Sequence, residues 1–334
     1  MAYSKKDSYR YDIISIGEAG LDSFLVVDEA SVLCSVDKSN CWICFTYADK
    51  IPVREFYESI GHNACNNAVG MSRLGLRAAL HCVIGDDETG KKIKKNLDTE
   101  GVDCNYVFTK KNSMSTYSTI LSYKTERTIF IYHPMRNHMK APPYAKSRWF
   151  YLTSLGTHFQ PIHAHALSQL KKNGTQLAFN PGDQQLRAGR KALDPILRAC
   201  TLLIVNKEEA GMLLQRTVKD ADVSKALFDL HMLGPEKIII TDGSRGAYSY
   251  ENKRAHHTKI ASAKVKERTG AGDAFSTGVL AALCYGKTLA QALEWGTINS
   301  ASVIEYVGPQ KGLLTKTRLL KRLRLSRCTA KPCR

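Results

Sequence analysis

Apolar and polar positions switch between two spacings along this chain. Asp12–Gly17 is a β-branched apolar run ending in glycine, the pattern of a buried strand. Asn66–Leu74 repeats at helical spacing and is closed by Gly75; Ala79–Gly85 returns to a strand, and Thr89–Glu100 to a helix ended by Gly101. Further strands are predicted at Trp149–Thr153, Gln176–Asn180, Leu202–Asn206 and Lys237–Thr241. Helices are predicted near Ile162–Lys172, Lys207–Gln215, Ser224–Leu233, Gly272–Cys284 and Leu289–Tyr306. Repeated strand–helix alternation predicts an α/β fold with a doubly wound, mostly parallel sheet sandwiched by helices.

Two segments break that rhythm. Residues 24–56 carry alternating and apolar pieces between turn residues. Within 114–134, Ser115–Tyr123 and Arg127–Tyr132 alternate around Lys124-Thr125-Glu126, which predicts a hairpin. The two are expected to pair as a small β-sheet lid over the carboxyl ends of the main strands, where ligands of open α/β sheets bind. Neither an internal repeat nor a long linker is visible, so residues 1–312 read as one domain and 313–334 as a basic tail.

Composition narrows the class. With 43% hydrophobic and 24% charged residues in 334, the chain is neither disordered nor collagen-like. No apolar run approaches about 18 residues, which excludes a spanning helix. Met1–Asp12 is polar and charged, without a signal-peptide apolar core, so a cytoplasmic protein is expected. The net charge of +17 suggests a nucleic-acid binder at first sight, but nine of the basic residues and no acid lie beyond Gly308. Residues 1–308 hold 39 basic and 31 acidic side chains, so the body is only mildly basic. Leu313, Leu314, Leu319, Leu320 and Leu323 are expected to cap the core while the tail's Lys and Arg stay solvated, a reading preferred to an RNA grip. Ten cysteines are too few for a disulfide scaffold, and most are expected to be reduced. Cys41-Trp42-Ile43-Cys44, near Cys34, lacks the second pair a structural zinc site needs and reads as strand.

Thr269-Gly270-Ala271-Gly272-Asp273 is the strongest chemical signal. Small residues at Gly270, Ala271 and Gly272 let backbone approach an anion, and a helix starts at once, so its free amides can hold phosphate. Asp273 lies in the first turn, placed to take a proton from a substrate hydroxyl. The plainer alternative, a glycine turn with a dipole-favoured Asp, explains the same segment equally well. Asn206-Lys207-Glu208-Glu209 follows a strand, and Glu209 could hold Mg²⁺ through water; an Asn N-cap with acids in the first turn explains the same residues. The glycines of Thr241-Asp242-Gly243-Ser244-Arg245-Gly246 would admit a nucleotide or simply make a hairpin turn. Gly61-His62 enters the first clear helix, where Asn66 could meet a polar ligand, and Asp22 follows the first strand at the same edge. Gly85–Lys92 imitates a P-loop, but Lys92 stands where Ser or Thr must hold Mg²⁺. His158, His163 and His165 lack acid or Cys partners and read as solvated helix surface.

In this order, these segments resemble the ribokinase (PfkB) family of sugar and nucleoside kinases over about Asp12 to Gly312. Thr269–Gly278 is similar to its carboxyl-terminal signature, and Gly61, Asn66, Ala68, Gly75 and Gly85 fall at the spacing of its amino-terminal one. The resemblance implies an ATP-dependent, Mg²⁺-requiring kinase for a sugar or nucleoside hydroxymethyl group. It implies Asp273 as base, Gly270–Gly272 as anion hole, and Asp22, Gly61, His62 and Asn66 at the acceptor. Asn206, Glu209, Thr241, Gly243 and Gly246 would serve MgATP, and Asn299 would contact adenine, although ribokinase's own spacing falls on Thr297. Where the family usually has two glycines, His62 replaces the second and crowds the acceptor pocket. Glu267 replaces an Asp common in potassium-activated members, which argues against a monovalent ion. A homodimer paired through the lid is a further expectation, and a non-catalytic ligand- or nucleic-acid-binding relative is the rival reading.

Overall fold

The computed structural model describes residues 9–36, 41–124, 126–134, 142–326 and 328–333. The polar amino terminus, the middle of the Lys124–Glu126 turn and the last residue of the tail lie outside the described residues. The amino-terminal half runs β1 (Tyr11–Ile16), β2 (Gly20–Val27), β3 (Ser31–Cys34), β4 (Cys41–Cys44), β5 (Val53–Gly61), α1 (Asn63–Arg73), β6 (Ala78–Gly85), α2 (Glu88–Thr99), β7 (Asp103–Lys110), β8 (Thr116–Tyr123), β9 (Glu126–Tyr132) and β10 (Ser147–Leu152). It continues through α3 (Gln160–Asn173), β11 (Gln176–Phe179), α4 (Asp183–Arg187), α5 (Arg190–Ala199), β12 (Leu202–Asn206), α6 (Lys207–Leu214), α7 (Val223–His231) and β13 (Lys237–Thr241). It ends with β14 (Ala247–Glu251), β15 (Arg254–Thr258), α8 (Ala271–Cys284), α9 (Leu289–Val303), α10 (Lys316–Leu325) and β16 (Lys331–Pro332).

Among the described residues, the main sheet has ten strands in the order β16-β15-β14-β13-β12-β11-β10-β1-β6-β7. From β7 to β13 the pairing is parallel, and β14, β15 and β16 extend the edge antiparallel. Strand periodicity divides the core: Ile14 and Ile16 of β1 join a cluster with Leu193, Leu213 and Leu227, whereas Ile13 joins one with Met71, Phe275 and Leu293 on the other face. Helices therefore cover both faces, as a parallel sheet requires.

The lid is a separate sheet in the order β5-β2-β8-β9, with β2 and β8 parallel and the outer pairs antiparallel. Register fixes its two faces. Asp22, Ser118 and Ile131 are in line on one, and Leu25, Phe56 and Leu121 on the other, with Phe130 one pair along. The first face looks onto the carboxyl ends of the main strands; on the second, Phe56 and Phe130 are exposed. Beside it β3 and β4 form a two-stranded ribbon in which Cys34 and Cys41 stand opposite each other and are disulfide-bonded, while the other eight cysteines are free, in line with the expectation that most are reduced.

The tail caps the core as its leucines lead one to expect. It forms α10, capped by Thr315 Oγ1 accepting from Arg318 N, and sinks Leu319 fully into the core beside Leu314. Leu320 and Leu323 pack partly against the same cluster. His163 departs from the solvated-surface reading: it is buried in α3, and its Nε2 lies 3.0 Å from Gln185 Nε2. No helix among the described residues is long and apolar enough to cross a membrane.

Candidate active site

Strand ends converge on one cavity. α8 starts from Gly270, whose φ of 80° only glycine adopts freely and whose Cα lies against Pro309, where a Cβ would come within 2.4 Å of the ring. Ala271 N donates back to Arg268 O, which leaves the amides of the next residues as the free donors of the helix start. An added Cβ on Gly272 would meet nothing within 4 Å, so its backbone faces open space. An anion can approach there at the positive end of the helix.

Asp273 lies at this same turn. Its Oδ2 accepts from Asn66 Nδ2 at 2.7 Å, across 207 residues of sequence. Burial raises its carboxyl to about 6 against the opposing Asn66 hydrogen bond, and the charge of Asp22 adds to the rise. Asn66 is buried, and its Oδ1 accepts from Gln310 Nε2 at 3.2 Å. Asn66, read from sequence as an acceptor contact, thus meets the candidate base directly.

Asp22 reaches the cavity from lid strand β2 and is buried, which pushes its pKa up against the opposing charge of His62. His62 caps α1 with φ 75° and ψ 149°, a conformation side chains rarely adopt. Its Nε2 lies 3.1 Å from Ser118 Oγ and 3.5 Å from Asp22 Oδ1. The Nε2 edge of the ring presses on Gly20, so His62 walls the cavity as a hydrogen-bonding group. Gly61 lies so close to Asp22 that a Cβ would fall 2.2 Å from Oδ2. Asp22, His62, Asn66, Arg127, Ile129 and the Thr269–Asp273 turn line a cavity of about 240 Å³. A second cavity of about 290 Å³ lies under the same lid face, between Glu18, Thr116, His133 and Gln184, with Glu18 Oε1 3.0 Å from His133 Nδ1.

The nucleotide-side residues are only partly as expected. Asn206 and Thr241 stand side by side at the ends of β12 and β13. Asn206 and Glu209 make a reciprocal capping box: Asn206 Oδ1 accepts from Glu209 N and Glu209 Oε2 from Asn206 N, each at 2.8 Å. Burial pushes Glu209 up to about 7, against the Asn206 amide, and the charges of Glu208 and Asp273 add to it. A carboxylate so crowded by negative charge gains from a nearby cation, so its chemistry fits Mg²⁺ held through water. Gly243 borders open space, but Gly246 is needed for packing, since a Cβ there would fall 2.0 Å from Thr258 O. Asn299 is no nucleotide contact: it is buried, Nδ2 donates to Ala274 O at 2.8 Å and Oδ1 accepts from Leu314 N at 3.1 Å. Both ends of its amide are spent tying α9 to α8 and to the tail.

Sequence reasoning missed three groups. Gln310 supports Asn66. Lys207 and Arg245 bracket Asp242 at 3.1 and 2.7 Å beside the Thr241–Gly246 loop. Arg127 of the lid lies 3.9 Å from Glu267 Oε1, which also accepts from Thr269 N and Oγ1, and Glu267 Oε2 is left buried without a hydrogen-bond partner. The Gln310–Asn66, Lys207–Asp242 and Arg127–Glu267 pairings are long-range and carry no local motif, whereas Arg245 and Asp242 are three residues apart. The Gly85–Lys92 loop is no P-loop: Asp87 Oδ1 accepts from Gly90 N and caps α2, and a Cβ on Gly90 would fall 2.2 Å from Gly85 O.

Comparison with known proteins agrees with this geometry. The pattern of the pfkB family carbohydrate kinases matches residues 23–316. A ribokinase of Haemophilus influenzae is 26% identical over 269 residues, covering 78% of this chain and 86% of that protein. Among solved structures, the Methanocaldococcus jannaschii nucleoside kinase superposes with a TM-score of 0.76 at 20% identity, over 94% of this chain and 98% of that one. Arabidopsis thaliana ribokinase, solved with ribose and ATP, gives 0.76 at 19% identity over 94% and 99%.

Proposed function

The chain belongs to the pfkB family of carbohydrate kinases, and from that premise we propose that it transfers the γ-phosphoryl group of ATP to a hydroxymethyl group of a sugar or nucleoside. The observation that carries the reading is Asp273, raised to about 6, hydrogen-bonded to Asn66 and set beside the free amides of the α8 turn in one cavity.

Asp273 takes the proton of the acceptor hydroxyl as that oxygen attacks phosphorus. With a pKa of about 6 it is ionised at neutral pH yet basic enough to accept that proton. The amides at Gly270–Gly272, less the one Ala271 spends on Arg268, receive charge developing on the transferred group. Asp22 holds the acceptor hydroxyls from the lid side, and His62 limits the width of what enters. The rest of the acceptor extends under the lid toward Glu18 and His133. Mg²⁺, held through water near Glu209, would neutralise the phosphate charge of the donor. The lid excludes water from the cavity, which limits hydrolysis of ATP.

ADP release with MgATP, measured across pentoses, hexoses, sugar phosphates and nucleosides beside an Asp273→Asn control, tests the reading. Acceptor-dependent turnover lost in the control supports it and names the acceptor. Full turnover in the control removes Asp273 as the base, and ATP binding without turnover by any acceptor favours the non-catalytic reading. The exposed Phe56 and Phe130 on the lid's outer face support pairing of two copies through the lid. A monomeric mass in solution overturns that pairing.

A further inference from the structure

A line of side-chain amides, buried at Asn66 and Gln310 and half-buried at Asn96, runs from the cavity to α2. Asp273 Oδ2 accepts from Asn66 Nδ2 at 2.7 Å, Asn66 Oδ1 accepts from Gln310 Nε2 at 3.2 Å, and Gln310 Oε1 accepts from Asn96 Nδ2 at 3.0 Å. The direction of the line follows from chemistry. An ionised carboxylate can only accept, so Asn66 must turn its NH₂ to Asp273 and its oxygen to Gln310. Gln310 must then offer its own NH₂ to Asn66 and its oxygen to Asn96. Reversing Asn66 or Gln310 sets oxygen against oxygen at one of its ends and NH₂ against NH₂ at the other. Gln310 is itself held in place: its backbone O accepts from Arg73 NH1 at 2.5 Å, and its Nε2 also lies 3.5 Å from Cys65 Sγ.

From this arrangement we infer that Gln310 is a positioning residue for the phosphoryl transfer, fixing the Asn66 amide so that it donates to Asp273 and keeps that carboxyl ionised. The inference rests on the reading of Asp273 as the base. Other groups face Asp273 as well: Asp22 and His62 from the lid side, buried Tyr151 from β10 and Glu209 from α6. None of them touches Gln310 in the hydrogen bonds above, so a change at Gln310 reaches Asp273 through Asn66.

Gln310→Met keeps the length of the side chain and removes both hydrogen-bonding ends. The expected result is that the acidic limb of the kcat/KM profile moves up by about one pH unit, the scale set by losing one hydrogen bond to an ionised group. Activity then falls about tenfold below pH 6 and changes little above pH 8, while the KM for ATP stays within twofold. Asn96→Ala, on α2 and outside the cavity, leaves Gln310 free to turn and moves the limb in the same direction by a smaller amount. It serves as the second test should Gln310→Met fail to fold. Profiles that superpose on the parent after scaling, in either folded variant, overturn the inference. With Asp273→Asn inactive, that result removes Gln310's role and leaves the base in place; an active Asp273→Asn removes the base itself.

Discussion

His62 Nε2 stands 3.5 Å from Asp22 Oδ1 while the His62 backbone is held at φ 75° and ψ 149°. The side chain is thus retained in a glycine-like conformation by its contacts with Ser118 and Asp22 across the helix–lid junction. Such a conformation costs about 1–3 kcal/mol in a residue with a Cβ. His62→Ala keeps that cost and loses the Ser118 hydrogen bond, whereas His62→Gly loses the bond and the strain together. The glycine variant should therefore be more stable than the alanine variant by about 1–2 kcal/mol, the reverse of the usual order. Denaturant midpoints of the two decide it. The widened cavity of His62→Gly should also admit bulkier acceptors.

Asp273 sets the pH dependence. Its folded value of about 6 lies above the ordinary carboxyl value, so protonation removes the base as pH falls through 6. kcat/KM should fall about tenfold per unit below that point and be flat above it until another group titrates. Asp273→Asn should lower kcat by about 10²–10⁴ with little change in ATP affinity. A flat profile down to pH 5 would remove Asp273 from the transfer step.

How much of this was legible depends on distance along the chain. Gly270–Asp273 could be read because small residues, a helix start and an acid are adjacent in sequence. The strands Leu202–Asn206 and Lys237–Thr241 were legible as apolar runs buried on both faces. β15 was not, because Arg-Ala-His-His-Thr has no apolar run and owes its extended form to pairing with β14. Asn299 misled for the same reason that Gln310 was invisible. An amide's role depends on what faces it, and Gln310 is 244 residues from Asn66.

The tail supplies a stability test. Leu319 is fully buried between α10 and the main core although it sits in a run dominated by Lys and Arg. Leu319→Ala should destabilise by about 2–4 kcal/mol. Replacing exposed Lys321 and Arg324 by Gln should shift stability by less than about 0.5 kcal/mol. Chemical denaturation of both variants separates a structural tail from one that is only a charged extension. Equal, small losses would place α10 outside the core.

Glu209 joins stability to metal binding. Its folded value of about 7 is raised above the unfolded one, so the folded state binds a proton more readily. The favourable part of that difference is present below about pH 4 and is lost as pH rises through 7, leaving a buried charge above it. Glu209→Gln removes the charge but keeps an oxygen for Asn206 N, so the capping box survives. The variant should be more stable than the parent by about 1 kcal/mol at pH 8, after discount for partial solvent screening, and equal to it below about pH 4. Without Glu209's charge, half-saturation by Mg²⁺ at fixed ATP should rise several-fold, while the acceptor KM holds. A stability gain with unchanged Mg²⁺ dependence would leave Glu209 as a helix cap alone.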